Sequence, residues 1–186
     1  MKKYDQINAT DRELVEGCLR NDRGSQELLY RKYAKRMLRL SRSYAKTTDE
    51  AQDILQESFL KVFHNIETYT EGSSLESWIR RIVNNTAIDH YRKSKRQGFF
   101  QPLEEDSTLH EEAVMEPSLR LETEDVFRAV NELPNGARMV FHLYAVQGYS
   151  HKEIAQQLNV SESTSKSQYQ RARSLLVERL NEREAG

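Results

Sequence analysis

Apolar residues recur at every third or fourth position along most of this chain, a spacing that confines it to helices. The clearest run is Ala51, Ile54, Leu55, Phe59, Val62, Phe63 and Ile66, which keeps one helical face apolar for about four turns. Only 3 Pro and 7 Gly occur in 186 residues, so little interrupts such helices, and the composition argues against a Gly- and Pro-punctuated sandwich or barrel. The expected fold class is all-α.

Capping signals divide the helices. Thr10-Asp-Arg-Glu13 has the pattern of a capping box and opens a helix carrying Leu14, Val15, Cys18 and Leu19 on one face. A second helix is expected from Ser25 to Lys46, with Leu29, Tyr33, Met37, Leu40 and Tyr44 inward. The third is expected to start near Asp49, with Gln52 as its box partner. Ser73-Ser-Leu-Glu76 reads as the box of a fourth helix bearing Trp78, Ile79, Ile82, Val83, Ile88 and Tyr91. Cys18 and Trp78 lie in the apolar period and read as core. Further on, one helix is expected from Leu119 to Leu133, ending at Pro134, and another from Gly136 to Val146 with Met139, Val140, Leu143 and Tyr144 inward.

Charge is segregated although the net is −1. The balance is +5 over residues 1–96, −8 over 97–125 and +2 over 126–186. Arg31, Lys32, Lys35, Arg36, Arg39, Arg42 and Lys46 follow one another with no acid between them. Such a run is either a solvated face or a contact for a polyanion. Gln101–Pro117 lacks periodicity and reads as a linker. The expected organisation is therefore a helical domain over 1–96, an acidic linker over 97–120 and a second helical domain over 121–186.

The most informative stretch is near the C-terminus. Ser150-His-Lys-Glu153 caps a short helix with Ile154, Ala155 and Leu158, Asn159 suits a left-handed turn, and Ser161 caps a long helix to Leu180. Ala155 is small enough for two helices to cross closely, while Ile154, Leu158 and Val160 fill the angle. This is a helix-turn-helix pattern, which places the early residues of the second helix in the major groove. Those residues are Ser163, Thr164, Lys166, Ser167 and Gln170, with Arg171 and Arg173 further along. They suit phosphates and base edges.

Enzyme chemistry finds no support. His64, His90, His110, His142 and His151 have no metal-ligand spacing, and there is no Gly-rich phosphate loop or nucleophile elbow. A single cysteine forms no internal disulfide. No apolar run is long enough for a membrane span, and Met1–Thr10 is too polar for a signal peptide. The expectation is a cytoplasmic protein without cofactor, metal or membrane insertion.

Taken together, these motifs resemble a bacterial extracytoplasmic-function (ECF) RNA polymerase sigma factor, over Glu13–Arg96 and Thr123–Leu180. Asp53-Ile-Leu-Gln-Glu-Ser-Phe-Leu-Lys-Val-Phe63 resembles the helix that grips the polymerase clamp. Trp78-Ile-Arg-Arg-Ile-Val-Asn-Asn85 with Asp89-His-Tyr-Arg-Lys93 resembles the promoter-melting and −10 recognition helix. Leu133-Pro134, Tyr149-Ser-His-Lys-Glu-Ile-Ala155 and Gln170-Arg-Ala-Arg173 resemble the −35-binding domain.

The resemblance implies a role for each group. Asp53, Gln56 and Glu57 would face the clamp helices of core RNA polymerase. The loop Ile66–Ser74, with Asn84 and Asn85, would hold a base extruded from single-stranded −10 DNA. Tyr69 would either stack on that base or pack on its own domain. Arg80, Arg81, Arg92 and Lys93 would contact phosphates, with Asp89 on the same helix. Two positions depart from the family's usual Gly-Thr-Val-Lys-Ser-Arg run: Ser165 replaces an apolar residue and Gln168 a cation. They imply a less rigid second domain or fewer phosphate contacts. The short terminal extensions imply no fused regulatory domain. An anti-sigma factor is an implied partner. Two rivals stay open: a dimeric helix-turn-helix regulator that binds promoter DNA without polymerase, and a helical adaptor.

Overall fold

The computed structural model describes residues 10–70, 72, 74–96 and 128–184. The acidic stretch expected as a linker, Ser73 and most of the helix expected over Leu119–Leu133 lie outside these residues. Among the described residues there are helices and turns and no strand. The chain divides into two compact units, Met1–His90 and Tyr91–Gly186, and each is described by itself.

The first unit begins with α1 (Asp11–Leu19). Its capping box forms as expected: Thr10 Oγ1 accepts from Glu13 N, and Thr10 N donates to Glu13 Oε2 at 2.8 Å. Leu14, Val15 and Cys18 are buried, whereas Leu19, expected on the same face, is 50% exposed. Burial pushes the Cys18 thiol up to about 11, which suits a core residue. Asp22 caps α2 (Arg23–Tyr44), accepting from Ser25 N and Ser25 Oγ. α1 and α2 approach so closely at Gly17 that a Cβ there would fall on Ser25 Oγ.

α3 spans Thr48–His64 and starts earlier than expected. Thr47, not Asp49, is its cap: Thr47 Oγ1 accepts from Glu50 N, and the Glu50 carboxylate accepts from Lys46 N at 2.7 Å. Glu50, and not Gln52, is therefore the residue that reaches back. A 3₁₀ turn at Ile66–Thr68 comes next. α4 (Leu75–Arg96) opens with Ser74, whose Oγ accepts from Ser77 N. Leu29, Met37, Ile54, Val62, Leu75, Ile79 and Val83 are fully buried and make the centre of this unit. Two polar contacts tie α2 to α4. Arg36 donates to Glu76 at 2.6 Å near the surface, and the buried Tyr44 OH donates to Asn84 Oδ1 at 3.0 Å.

The second unit contains a helical stretch at 128–131, then α5 (Asn135–Phe141), α6 (His151–Leu158) and α7 (Glu162–Glu184). The helix expected over Gly136–Val146 is in fact α5 continued by a π turn at His142–Val146. A π turn inserts one extra residue per turn and rotates the chain beyond it. Tyr144 is consequently 37% exposed rather than inward. Ala129, Val130, Leu133, Ala137, Ala172, Leu176 and Leu180 form a core, with Phe141 and Leu175 against it. Arg138, itself buried, donates to Asn131 O and Asn135 Oδ1, each at 2.9 Å.

Gly17→Ala has no free volume to enter and is expected to destabilise the first unit by about 1–3 kcal/mol through overpacking. Urea unfolding of the full chain monitored by circular dichroism checks this; an unchanged midpoint would show that α1 can move away.

Candidate functional site

α3 presents the face opposite its apolar seam. Asp53 and Gln56 are exposed and Glu57 is half-buried. One turn further, Leu60 is 71% exposed. Residues 53, 56, 57 and 60 share one helical stripe, so the acidic and amide face has an apolar member that sequence reasoning missed. The signal was available: a leucine standing out of period in an otherwise regular seam. Glu57 is not a free acid. Its carboxylate accepts from Lys61 Nζ at 2.8 Å and from His90 Nε2 on α4 at 2.7 Å, and Lys61 in turn reaches Asp89 at 3.5 Å. The Lys61 ammonium and then His90 hold the Glu57 carboxyl below its ordinary range.

The loop before α4 is tethered at its first turn. Asn65 Nδ2 donates to Lys61 O, Thr68 Oγ1 donates to Asn65 O, and Ile66 is buried. Gly72 has φ +101°, a conformation that side-chain-bearing residues rarely adopt. Tyr69 packs edge-on against Trp78 with ring centroids 5.7 Å apart. Both rings are half-buried, so Trp78 is not the full core residue expected, and the pair forms an aromatic wall at the loop.

On α4 itself, Arg80, Arg81, Asn85, Asp89 and Lys93 are exposed and Arg92 is half-buried. Asn84 departs from expectation. It is only 3% exposed and accepts a hydrogen bond from Tyr44 OH. Adjacent residues on a helix point about 100° apart, so Asn84 and Asn85 do not share a surface. Asn84 is a structural amide, and Asn85 alone of the pair reaches solvent.

In the second unit α6 and α7 form the helix-turn-helix. Ser150 and Glu153 make a reciprocal capping box, and Asn159 takes φ 52°, ψ 56°, the left-handed turn its side chain tolerates. Ser161 Oγ accepts from Thr164 N at 2.9 Å. Ser163, Lys166 and Gln170 are exposed, and Ser167, Arg171 and Arg173 are half-buried. Lys166 pairs with Glu162 at 2.8 Å, a surface pair that a phosphate would compete with. Thr164 is 6% exposed and hydrogen-bonded to Ser161, so it belongs to the cap and not to the surface that would meet bases.

The two departures from the family run both face inward. Gln168 is buried, so its place is not one from which a phosphate contact is lost. Ser165 is fully buried and hydrogen-bonded to His151 Nδ1 of α6 at 3.0 Å. The missing apolar contact is replaced by a polar link between the two crossing helices. His151 also stacks on Tyr144, centroids 4.2 Å apart, and Tyr144 meets Tyr169 of α7 at 4.6 Å. This aromatic cluster is not legible in the sequence, because Tyr144, His151 and Tyr169 converge only after the π turn.

Comparison with known proteins agrees with this arrangement. Residues 29–97 match the family model for Sigma-70 region 2 and residues 123–176 that for Sigma-70, region 4. The chain is 30% identical over 169 residues to the ECF RNA polymerase sigma factor SigM of Mycobacterium tuberculosis, covering 90% of this chain and 83% of that protein. The chain belongs to the ECF sigma factors. It is also 30% identical over 151 residues to the ECF sigma factor SigM of Bacillus subtilis, covering 80% and 90% of the two chains. A co-crystal structure of the sigma factor RpoE with the anti-sigma factor NepR from Bartonella quintana aligns with 82% of this chain and 96% of that one, at 23% identity and a TM-score of 0.47. As an ECF sigma factor this chain is a promoter-directing transcription initiation factor. A dimeric regulator acting without polymerase is not favoured, because regions 2 and 4 occur together in one chain.

Ser165→Ala removes the partner of His151 and is expected to cost about 1 kcal/mol, read as a lower unfolding midpoint of the full chain. Burial and then the Lys166 charge hold the His151 imidazole below its ordinary 6.5, with Glu162 opposing. The unfolded chain therefore takes up the proton first, so this contribution is intact above about pH 6.5 and is lost as pH falls below it. The difference between wild type and His151→Gln in urea midpoint is expected to shrink from pH 7.5 to 5.5; a constant difference would refute the linkage.

Proposed function

We propose that this sigma factor divides initiation among three surfaces, over domains at 1–96 and 121–186 joined by residues 97–120. The α3 stripe of Asp53, Gln56 and Glu57 docks on the basic clamp helices of the largest polymerase subunit. Leu60 adds an apolar contact inside the charged stripe, where burial on docking strengthens the surrounding ion pairs. The observation that carries this reading is the stripe as a whole: Asp53 and Gln56 are exposed and Glu57 half-buried on the side of α3 opposite its buried seam, within the residues that match Sigma-70 region 2, and Leu60, 71% exposed, lies among them.

The α4 surface meets the −10 element. Arg80, Arg81, Arg92 and Lys93 neutralise backbone phosphates, and Asn85 offers a donor and an acceptor to an extruded base beside the Tyr69–Trp78 wall. Flipping a base costs a few kcal/mol, which stacking and hydrogen bonds there offset. Asp89, held toward Lys61, orients the neighbouring cations instead of meeting phosphate. The α7 surface reads the −35 element through Ser163, Lys166, Ser167 and Gln170, with Arg171 and Arg173 on phosphates.

The catalytic chemistry belongs to the polymerase; this chain supplies recognition and strand opening without cofactor or metal. Its work is on promoter DNA in the cytoplasm. No helix among the described residues is long and apolar enough to cross a membrane. Family membership adds an anti-sigma factor as a third class of partner.

Run-off transcription with purified core polymerase on a genomic promoter library tests the whole reading: defined starts are expected, and none without this chain. Asp53→Lys with Glu57→Lys should weaken core association at least about tenfold with helix content unchanged, and Leu60→Ala should weaken it by a smaller factor. Wild-type association for both variants would remove α3 from the interface.

A further inference from the structure

The basic run on α2 is left without a task by these three surfaces. Of its cations, Arg31 pairs with Glu27, Lys32 with Asp11 and Arg36 with Glu76. Lys35, Arg39 and Arg42 are exposed, and among the described residues no acid pairs with them. At about 100° per residue they lie on the side of α2 opposite its buried Tyr33, Met37, Leu40 and Tyr44.

Their helical neighbours make the arrangement unusual. Every charged residue three or four positions from any of the three is itself a cation, and like charges at that spacing destabilise a helix. A face needed only for solubility is better served by mixed signs, as at Arg12–Glu16 of α1. The stripe also has a definite neighbour. The Arg36–Glu76 ion pair, 2.6 Å long, brings this flank of α2 to the first turn of α4, where Arg80 lies one turn beyond Glu76 and the Tyr69–Trp78 wall closes the loop.

We infer that Lys35, Arg39 and Arg42 form a phosphate track for the DNA strand opened at the α4 loop. This rests on the proposed role of α4 in strand opening and adds the path the strand takes beyond it. The three cations span about 10 Å along the helix, enough for two successive phosphates of an extended strand. Two of the three are guanidiniums, which bind phosphate in a bidentate fork. Glu76 neutralises Arg36 at the edge and so keeps the track separate from the phosphate contacts of α4.

The test uses the full chain with core polymerase and a promoter recovered by run-off selection. Two probes are compared: a fork template with a single-stranded −10 segment, and a duplex carrying only the −35 element. The combined variant K35Q/R39Q/R42Q should bind the fork template about tenfold more weakly at about 0.1 M salt, and the log–log salt slope should fall by about 1.4, at about 0.7 for each of the two single-strand phosphates released. Affinity for core and for the −35 duplex should not change. Arg39→Lys with Arg42→Lys, which keeps the charge, should retain most of the binding. An unchanged fork affinity and slope overturns the track. Loss of core association also overturns it and gives the stripe to polymerase. Asn85→Ala, run in parallel with permanganate footprinting, separates the two levels. If it blocks opening while the α2 variant behaves as wild type, the track alone fails; if it opens the promoter normally, the underlying role of α4 fails with it.

Discussion

Each helix of the first unit spends one face on a shared core, and that commitment determines where its charge can go. Leu29 and Met37 of α2, Ile54 and Val62 of α3, and Ile79 and Val83 of α4 are fully buried. Burying such side chains contributes about 1.5–3 kcal/mol each, far more than any surface ion pair. Rotation of a helix about its axis would forfeit several of these contributions at once. The outward faces are therefore held as firmly as the inward ones. This rigidity lets α3 and α4 offer different chemistries from one small bundle.

The polar contacts do a different job. Tyr44–Asn84, Arg36–Glu76 and His90–Glu57 add modest stability, but each fixes the register of α4 against α2 or α3. A hydrogen bond has a narrow range of length and direction, whereas apolar packing tolerates small slides. The Glu57–His90 contact also joins the face proposed to dock polymerase to the helix proposed to meet DNA. In the second unit Ser165–His151 has the same function between the crossing helices of the helix-turn-helix.

This division explains which residues are legible in the sequence. Helical period identifies most of the buried set of α3, whereas in α4 it takes in the half-buried Trp78 and Ile82 and misses Leu75, Thr86 and Ala87. The caps at Thr10, Ser150 and Ser161 form where expected. The left-handed Asn159 is legible from its side chain. The misplacements have local causes. At the start of α3, Thr47 and Asp49 compete for one cap, and Thr47 takes it as Glu50 reaches back to Lys46 N. Asn84, Thr164 and Gln168 read as surface because polar residues usually are, and Ser165 reads as a poor substitute for an apolar residue. Their burial becomes possible because Tyr44, Ser161 and His151 supply partners for most of them.

By itself the sequence determined the all-helical class, the helix-turn-helix and the family pattern, because all three rest on local spacing and on residues whose conformational preferences act within one turn. Tertiary structure alone decided which of two adjacent asparagines reaches solvent, how a serine fits a core, and which α2 cations find acids on other helices. Those outcomes turn on partners far away in the chain. A side chain's polarity states what it needs, and only the packed fold states what it is given.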